Sequence, residues 1–207
     1  TAKRREDRLS FEYQTPLAQH FAFVDDEHKR ASEKLMQDYY RTSRTVMQLN
    51  HILIQNFRQY IYSPMPSAPV ILDAHFHIQN NLLAIRHPQV FIEHPDCILR
   101  LFVHWQQQHT AQGIAASTLR ALWHARRIIK EPFRQNALHR DLFMQILREP
   151  RGVTRVLRRM NQYGILGRYL PAFGKIVGQM QHDLFHIYTV DEHILMVLRN
   201  LRRLAVS

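Results

Sequence analysis

The run QMQHDLFHIYTVDEHILMVLRNLRRL, residues 179–204, places polar residues directly ahead of an unbroken helical period. Thr189 followed three residues later by Glu192 is a capping box, in which the hydroxyl and the carboxylate each take up a backbone N–H that a helix start leaves open. A helix is therefore predicted to begin near Val190. Behind that cap, Val190, Ile194, Val197, Leu201 and Leu204 form one apolar stripe of period near 3.6. His193 sits in the first turn beside this stripe. Alone it offers one donor where a metal needs several, so the residues by themselves favour a half-covered helix-start imidazole. His182 and His186 stand four apart, with Asp183 and Asp191 nearby. The spacing suits zinc, but a third clear ligand is missing and the helical metalloprotease pattern has Glu after its first His. A zinc hydrolase is thus the less favoured reading.

Outward from this run, glycine organises the chain: none of the six precedes Gly113, and five fall between Gly152 and Gly178. Long helices are expected first and turns late. No glycine-rich phosphate loop fits the first half. Gly164, Gly167, Pro171, Gly174 and Gly178 predict a loop of roughly 17 residues, a length that tends to be functional or to join two units.

The first 24 residues read as a helix kinked at Pro16. Asp25 and Asp26 offer caps for a longer helix over about 27–62, whose apolar face is Ala31, Leu35, Tyr39, Val46, Leu49, Leu53, Phe57 and Ile61. At ~1.5 Å per residue it would run roughly 50 Å, a length suited to a spine between two lobes. The prolines of SPMPSAP, residues 63–69, end it. Residues 70–86 change period around Asn80 and Asn81, which tolerate a left-handed turn, so a short β-hairpin is predicted. His75 and His77 would share one face of its first strand, and two solvent-facing imidazoles are favoured over a metal pair.

Four further helical patterns follow. Ile98, Leu99, Phe102 and Trp105 form the stripe of one that opens after Pro95. Ser117 is a candidate cap for the next, with Leu119, Leu122, Trp123 and Ile129 inward and Arg120, Arg126, Arg127 and Lys130 outward. Asn136 opens a third that stops at Glu149 and Pro150, and the fourth covers 152–161. Each is too short to stand alone, so they must pack as a bundle. The fold class is all-α, a helical bundle with one long spine helix, plus the hairpin near 70–86.

With 207 residues, 45% hydrophobic and 22% charged, the chain can bury a real core. It holds no apolar run of the ~20 residues that a bilayer demands and no signal peptide, so no membrane partner is expected. A single cysteine, Cys97, excludes an intramolecular disulfide and any multi-cysteine metal site, and fits a buried apolar role in a reducing cytoplasm. The net charge of +11 would attract nucleic acid or an acidic surface. Arg158, Arg159, Arg199, Arg202 and Arg203 are the dense basic clusters, but the aromatic residues lie mostly on apolar stripes rather than between them. A solvated face is favoured over nucleic-acid binding, and a basic nucleic-acid or protein binding module is the alternative function.

The segment GILGRYLPAFGKIVGQMQHDLFHIYTVDEH (164–193) resembles the bifunctional uridylyltransferase/uridylyl-removing enzymes of bacterial nitrogen regulation. RREDRL (4–9), DYYRTSRTVMQLN (38–50) and FRQNALHRDLFMQILREPRGVTRVLRRMNQYG (133–164) are similar to that family in the same order. The resemblance covers nearly the whole chain. It implies an enzyme that transfers UMP from UTP to a tyrosine of the signal protein PII and hydrolytically removes it in response to glutamine, with Mg2+ or Mn2+ as cofactor and a cytoplasmic location. It further implies that residues 1–26 end the nucleotidyltransferase region, 27–162 form a helical middle domain, and 163–207 carry the glycine-rich loop and first helices of an HD domain. On this resemblance His193 is the first metal ligand of the HD set, whereas His182 and Asp183 only spell the motif's letters. The transferase aspartates and the remaining HD ligands have no counterpart, so the chain is expected to be an interior fragment with neither active site complete and no metal bound through His193.

Overall fold

The computed structural model describes residues 9–62, 68–108, 110–180 and 188–206. The described residues divide into two compact units, one formed by residues up to Thr45 together with those from Lys175 onward, the other by Val46–Gly174.

In the first unit α1, Phe11–His20, holds Pro16 inside it and buries Gln14 and Ala18. The second helix, α2, Ala31–Tyr62, has 32 residues, and its first half belongs to this unit. The helix starts at Ala31 rather than near residue 27, and of the two aspartates offered as caps Asp25 caps it whereas Asp26 holds the turn before it. Asp25 accepts the Ala31 N–H at 2.6 Å, and Asp26 accepts those of His28 and Lys29. Glu33 reaches back to the Arg30 N–H at 2.9 Å.

In the second unit a four-stranded sheet is ordered β1-β2-β3-β4: Val70–Ile71, Phe76–Gln79, Leu82–Ile85 and Gly113–Ile114. The first two pairings are antiparallel and the last is parallel. Asn80 and Asn81, at φ 51° and 59°, connect β2 to β3 with both turn residues left-handed, the geometry that a two-residue hairpin requires. The predicted hairpin is therefore present. Its extension by β1 and β4 was not read from the sequence, because two-residue strands carry no period.

The same unit holds α3, Val90–Glu93; α4, Cys97–Gln107; α5, Ala116–Ala125; α6, Glu131–Gln135; α7, Ala137–Arg148; and α8, Val153–Gln162, of which α5 packs on β3. At the centre, α4 packs against α7 and α8, with Ile98, Leu99, Leu101 and Phe102 fully enclosed. The Gln106 amide donates to the carbonyls of Ile146 and Arg151, tying α4 to the end of α7 and the turn behind it. Asn136 caps α7 by accepting the His139 N–H. Ser117 does not cap α5: that helix starts from Ala115, and the neighbouring Thr118 hydroxyl instead accepts the Ile85 N–H of β3 at 3.0 Å.

Further expectations are corrected. The predicted loop over 164–178 holds α9, Leu166–Tyr169, and α10, Pro171–Ile176. Gly174 is there for close approach, since a Cβ on it would overlap the Gly167 carbonyl, whereas Gly164 and Gly178 take positive φ. The second half of α2 is turned opposite to its apolar face. Val46, Leu49, Leu53, Phe57 and Ile61 are all at least 50% exposed, and Gln48, His51, Gln55 and Gln59 face inward. Gln48 explains the reversal: its amide donates to the Gln162 carbonyl and its oxygen accepts from Arg126. Gln59 accepts the Ala116 N–H at 3.1 Å. Arg126, expected outward, instead lies 3.4 Å from the Trp123 ring centroid.

Candidate functional site

The last described helix, α11, Val190–Val206, begins where the capping pattern predicts. Its first turn is held by a polar anchor. The Gly178 turn is bound to α2, because the Gln37 amide donates to the carbonyls of Lys175 and Val177 and Arg41 donates to Val177. A Cβ on Gly178 would press on the Gln37 carbonyl at 3.2 Å, so the approach suits glycine. Gly178 N–H donates to the Asp191 carboxylate at 3.0 Å, and Arg44 Nη2 lies 2.5 Å from its other oxygen. Val190 N–H donates to the Gln179 carbonyl at 2.8 Å. Asp191 is 0% exposed. A carboxylate in the first helical turn also meets the positive end of the helix dipole.

This carboxylate is committed to Arg44 and Gly178, so it positions the helix rather than offering itself to a ligand. His193, two residues on and about 200° around the axis at 3.6 residues per turn, is exposed and donates its backbone N–H to Thr189 at 2.9 Å. His182, Asp183 and His186 lie outside the described residues. No group of three His, Cys, Asp or Glu side chains among the described residues is placed to hold a metal ion. Among the described residues His193 is one donor where a divalent ion takes several.

His75 and His77 are not the solvent-facing pair expected. β2 is an interior strand and both residues are half-buried. The His75 ring lies 4.3 Å from that of His94, while burial and then Arg86 push the His77 imidazole below its usual pKa. The sequence reading missed Asp73, whose carboxylate binds Arg100 at 2.7 Å and His104 at 2.8 Å and accepts the N–H groups of His75 and Phe76. Burial alone would raise the Asp73 pKa, but these bonds outweigh it and hold the carboxyl low. The network fastens the start of β2 to α4. Its only sequence signal was an Asp two residues ahead of an N–H it could accept.

Cys97 is buried as expected, and burial followed by Asp96 pushes its thiol up to about 12, which makes it an inert apolar residue. In the basic clusters, Arg158 and Arg202 are half-buried and Arg199 and Arg203 exposed. Arg159 lies over the Trp105 ring and donates to Gln162 at 2.8 Å. No described helix is long and apolar enough to cross a membrane.

Comparison with known proteins is decisive. The family model "GlnD PII-uridylyltransferase" matches residues 1–54, and "Uridylyltransferase GlnD third domain" matches residues 76–169. The bifunctional uridylyltransferase/uridylyl-removing enzyme of Chromobacterium violaceum is 55% identical over 206 residues, covering 100% of this chain and 24% of that protein. The enzyme of the same name from Thiobacillus denitrificans is 50% identical over 206 residues, with the same coverage. This chain belongs to the bifunctional uridylyltransferase/uridylyl-removing enzyme family. It spans about a quarter of the length of those relatives. The third-domain match of the family starts at the first residue of β2 and ends at the last of α9, and His193 lies outside both matched segments. No solved structure matches the chain.

Proposed function

We propose that residues 1–207 are the helical interior of an enzyme that transfers UMP from UTP to a tyrosine of PII and removes it hydrolytically in response to glutamine, in the cytoplasm and with Mg2+ or Mn2+. The observation that carries this reading is 55% identity, sustained over the whole chain, to the bifunctional uridylyltransferase/uridylyl-removing enzyme of Chromobacterium violaceum. In the same reading residues 1–26 close the nucleotidyltransferase region, 27–162 are the middle domain and 163–207 open the HD domain.

What this chain's own residues do is mechanical. Asp191, Arg44 and Gly178 fix the first turn of α11, and that turn presents His193 outward. His193 is assigned as the first ligand of a divalent ion whose other ligands the described residues do not supply. Nucleotidyl transfer and metal-assisted hydrolysis both need several ligands around one ion, so residues 1–207 alone are inactive.

The test has two arms. Purified 1–207 is assayed for UMP transfer from UTP to PII and for UMP release from uridylylated PII; turnover in either assay refutes the assignment of an inactive interior segment. In the full-length enzyme, His193→Ala abolishes UMP release and leaves UMP transfer within about threefold. Equal loss of both activities refutes the role given to His193.

A further inference from the structure

A cavity of about 420 Å³ opens within the Val46–Gly174 unit, inside the size range of small-molecule sites. One wall is the inward polar face of α2, with His51, Gln55, Arg58 and Gln59. Arg159 of α8 and Trp105 of α4 also line it. The hairpin turn and the start of β4 close the remainder.

The charge of this lining is one-sided. Its charged side chains are two arginines, and no carboxylate lines it. Arg58 and Arg159 both line this one space; burial first, then Arg159 and Arg58, push the His51 imidazole beside them below its ordinary pKa. The Trp105 indole N–H is buried and has no hydrogen-bond partner among the described residues. Gln59 uses its oxygen on the Ala116 N–H, which leaves the amide nitrogen as its donor end. The walls therefore combine two cations with amide, imidazole and hydroxyl groups that can donate as well as accept. Two like charges converge without a counter-charge, an arrangement that an anion relieves.

We propose that this cavity binds a small phosphate-bearing molecule, held between the guanidiniums of Arg58 and Arg159 and the amide donors of α2. Arginine's planar fork matches phosphate oxygens in pairs, and two such forks balance the double charge that a single carboxylate lacks. The volume exceeds what inorganic phosphate needs and leaves room for an attached organic group. This inference does not rest on the transferase reading, and neither stands or falls with the other.

Isothermal titration of residues 1–207 with inorganic phosphate, pyrophosphate and AMP, and with citrate as a carboxylate control, tests it. Saturable one-to-one binding is expected for at least one phosphate probe. Arg58→Met and Arg159→Met each weaken it at least tenfold, and Arg203→Met on α11 leaves it within twofold. AMP binding tighter than phosphate identifies an organic phosphate; equal affinity identifies the phosphate group as all that is read, and both support the site. Absence of saturable binding by every phosphate probe, tighter binding of citrate than of pyrophosphate, or unchanged binding in Arg58→Met overturns it. Arg58 is exposed, so that variant decides the matter even where loss of Arg159 disturbs the Trp105 stack.

Discussion

α4 and α11 carry the same kind of sequence pattern and meet opposite fates. Each shows a clean apolar stripe at helical spacing. In α4 Ile98, Leu99 and Phe102 are 0% exposed, enclosed by α7, α8 and their surroundings. In α11 Ile194 and Val197 are each 42% exposed, Leu201 58% and Leu204 77%, and the enclosed positions are Asp191 and Leu195. An apolar period states that a face wants covering; it does not state that the same chain supplies the cover. α4 is held by the apolar area it removes from water, and α11 at its first turn by one buried carboxylate and what it bonds.

That contrast can be broken by substitution, beginning in α4. Phe102→Ala removes a fully enclosed ring and is expected to cost about 3–5 kcal/mol, read as a fall in the urea midpoint of residues 1–207. A loss under about 1 kcal/mol would mean that α4 is not the centre of its unit. In α11 the large effect is electrostatic. Arg44→Ala leaves Asp191 enclosed without its cation and is expected to cost about 3 kcal/mol, the low end for a buried pair because Arg44 stays one-fifth exposed. Amide exchange over residues 190–200 should quicken while that over α4 stays protected. Uniform quickening across both helices would erase the distinction between the two anchors. The smallest effect sharpens the comparison: Leu201→Ser on the exposed stripe should change stability by no more than about 0.5 kcal/mol. A loss comparable to that of Phe102→Ala would show that the α11 stripe is covered in solution.

The hairpin and the helix boundaries were legible because each rests on local chemistry. Asn80 and Asn81 accept left-handed φ, Asp25 and Asp26 have carboxylates within reach of nearby N–H groups, and Asn136 caps α7. The second half of α2 was misread for a reason of the same kind as in α11. Its apolar and polar faces are both well formed, and the bonds of Gln48 and Gln59 to residues far along the chain turned the polar one inward. The cavity behind that face had no sequence signature, since its walls come from five separate stretches. For the candidate site, His193 was named by the YTVDEH resemblance, and the start of α11 was legible in the pair Thr189 and Glu192. The burial of Asp191 was not, because Arg44 is 147 residues distant in the chain.

The sequence by itself determined the family, the helical class, the hairpin and most helix ends, since caps, prolines and turn residues act within a few bonds of where they stand. Only the tertiary structure decided which face of α2 points inward, that Asp191 is enclosed in the first turn of α11 while most of its apolar stripe is not, and that Arg58 and Arg159 line one cavity. Those outcomes are set by which distant donor or acceptor satisfies a buried polar group, and no spacing along the chain records that partner.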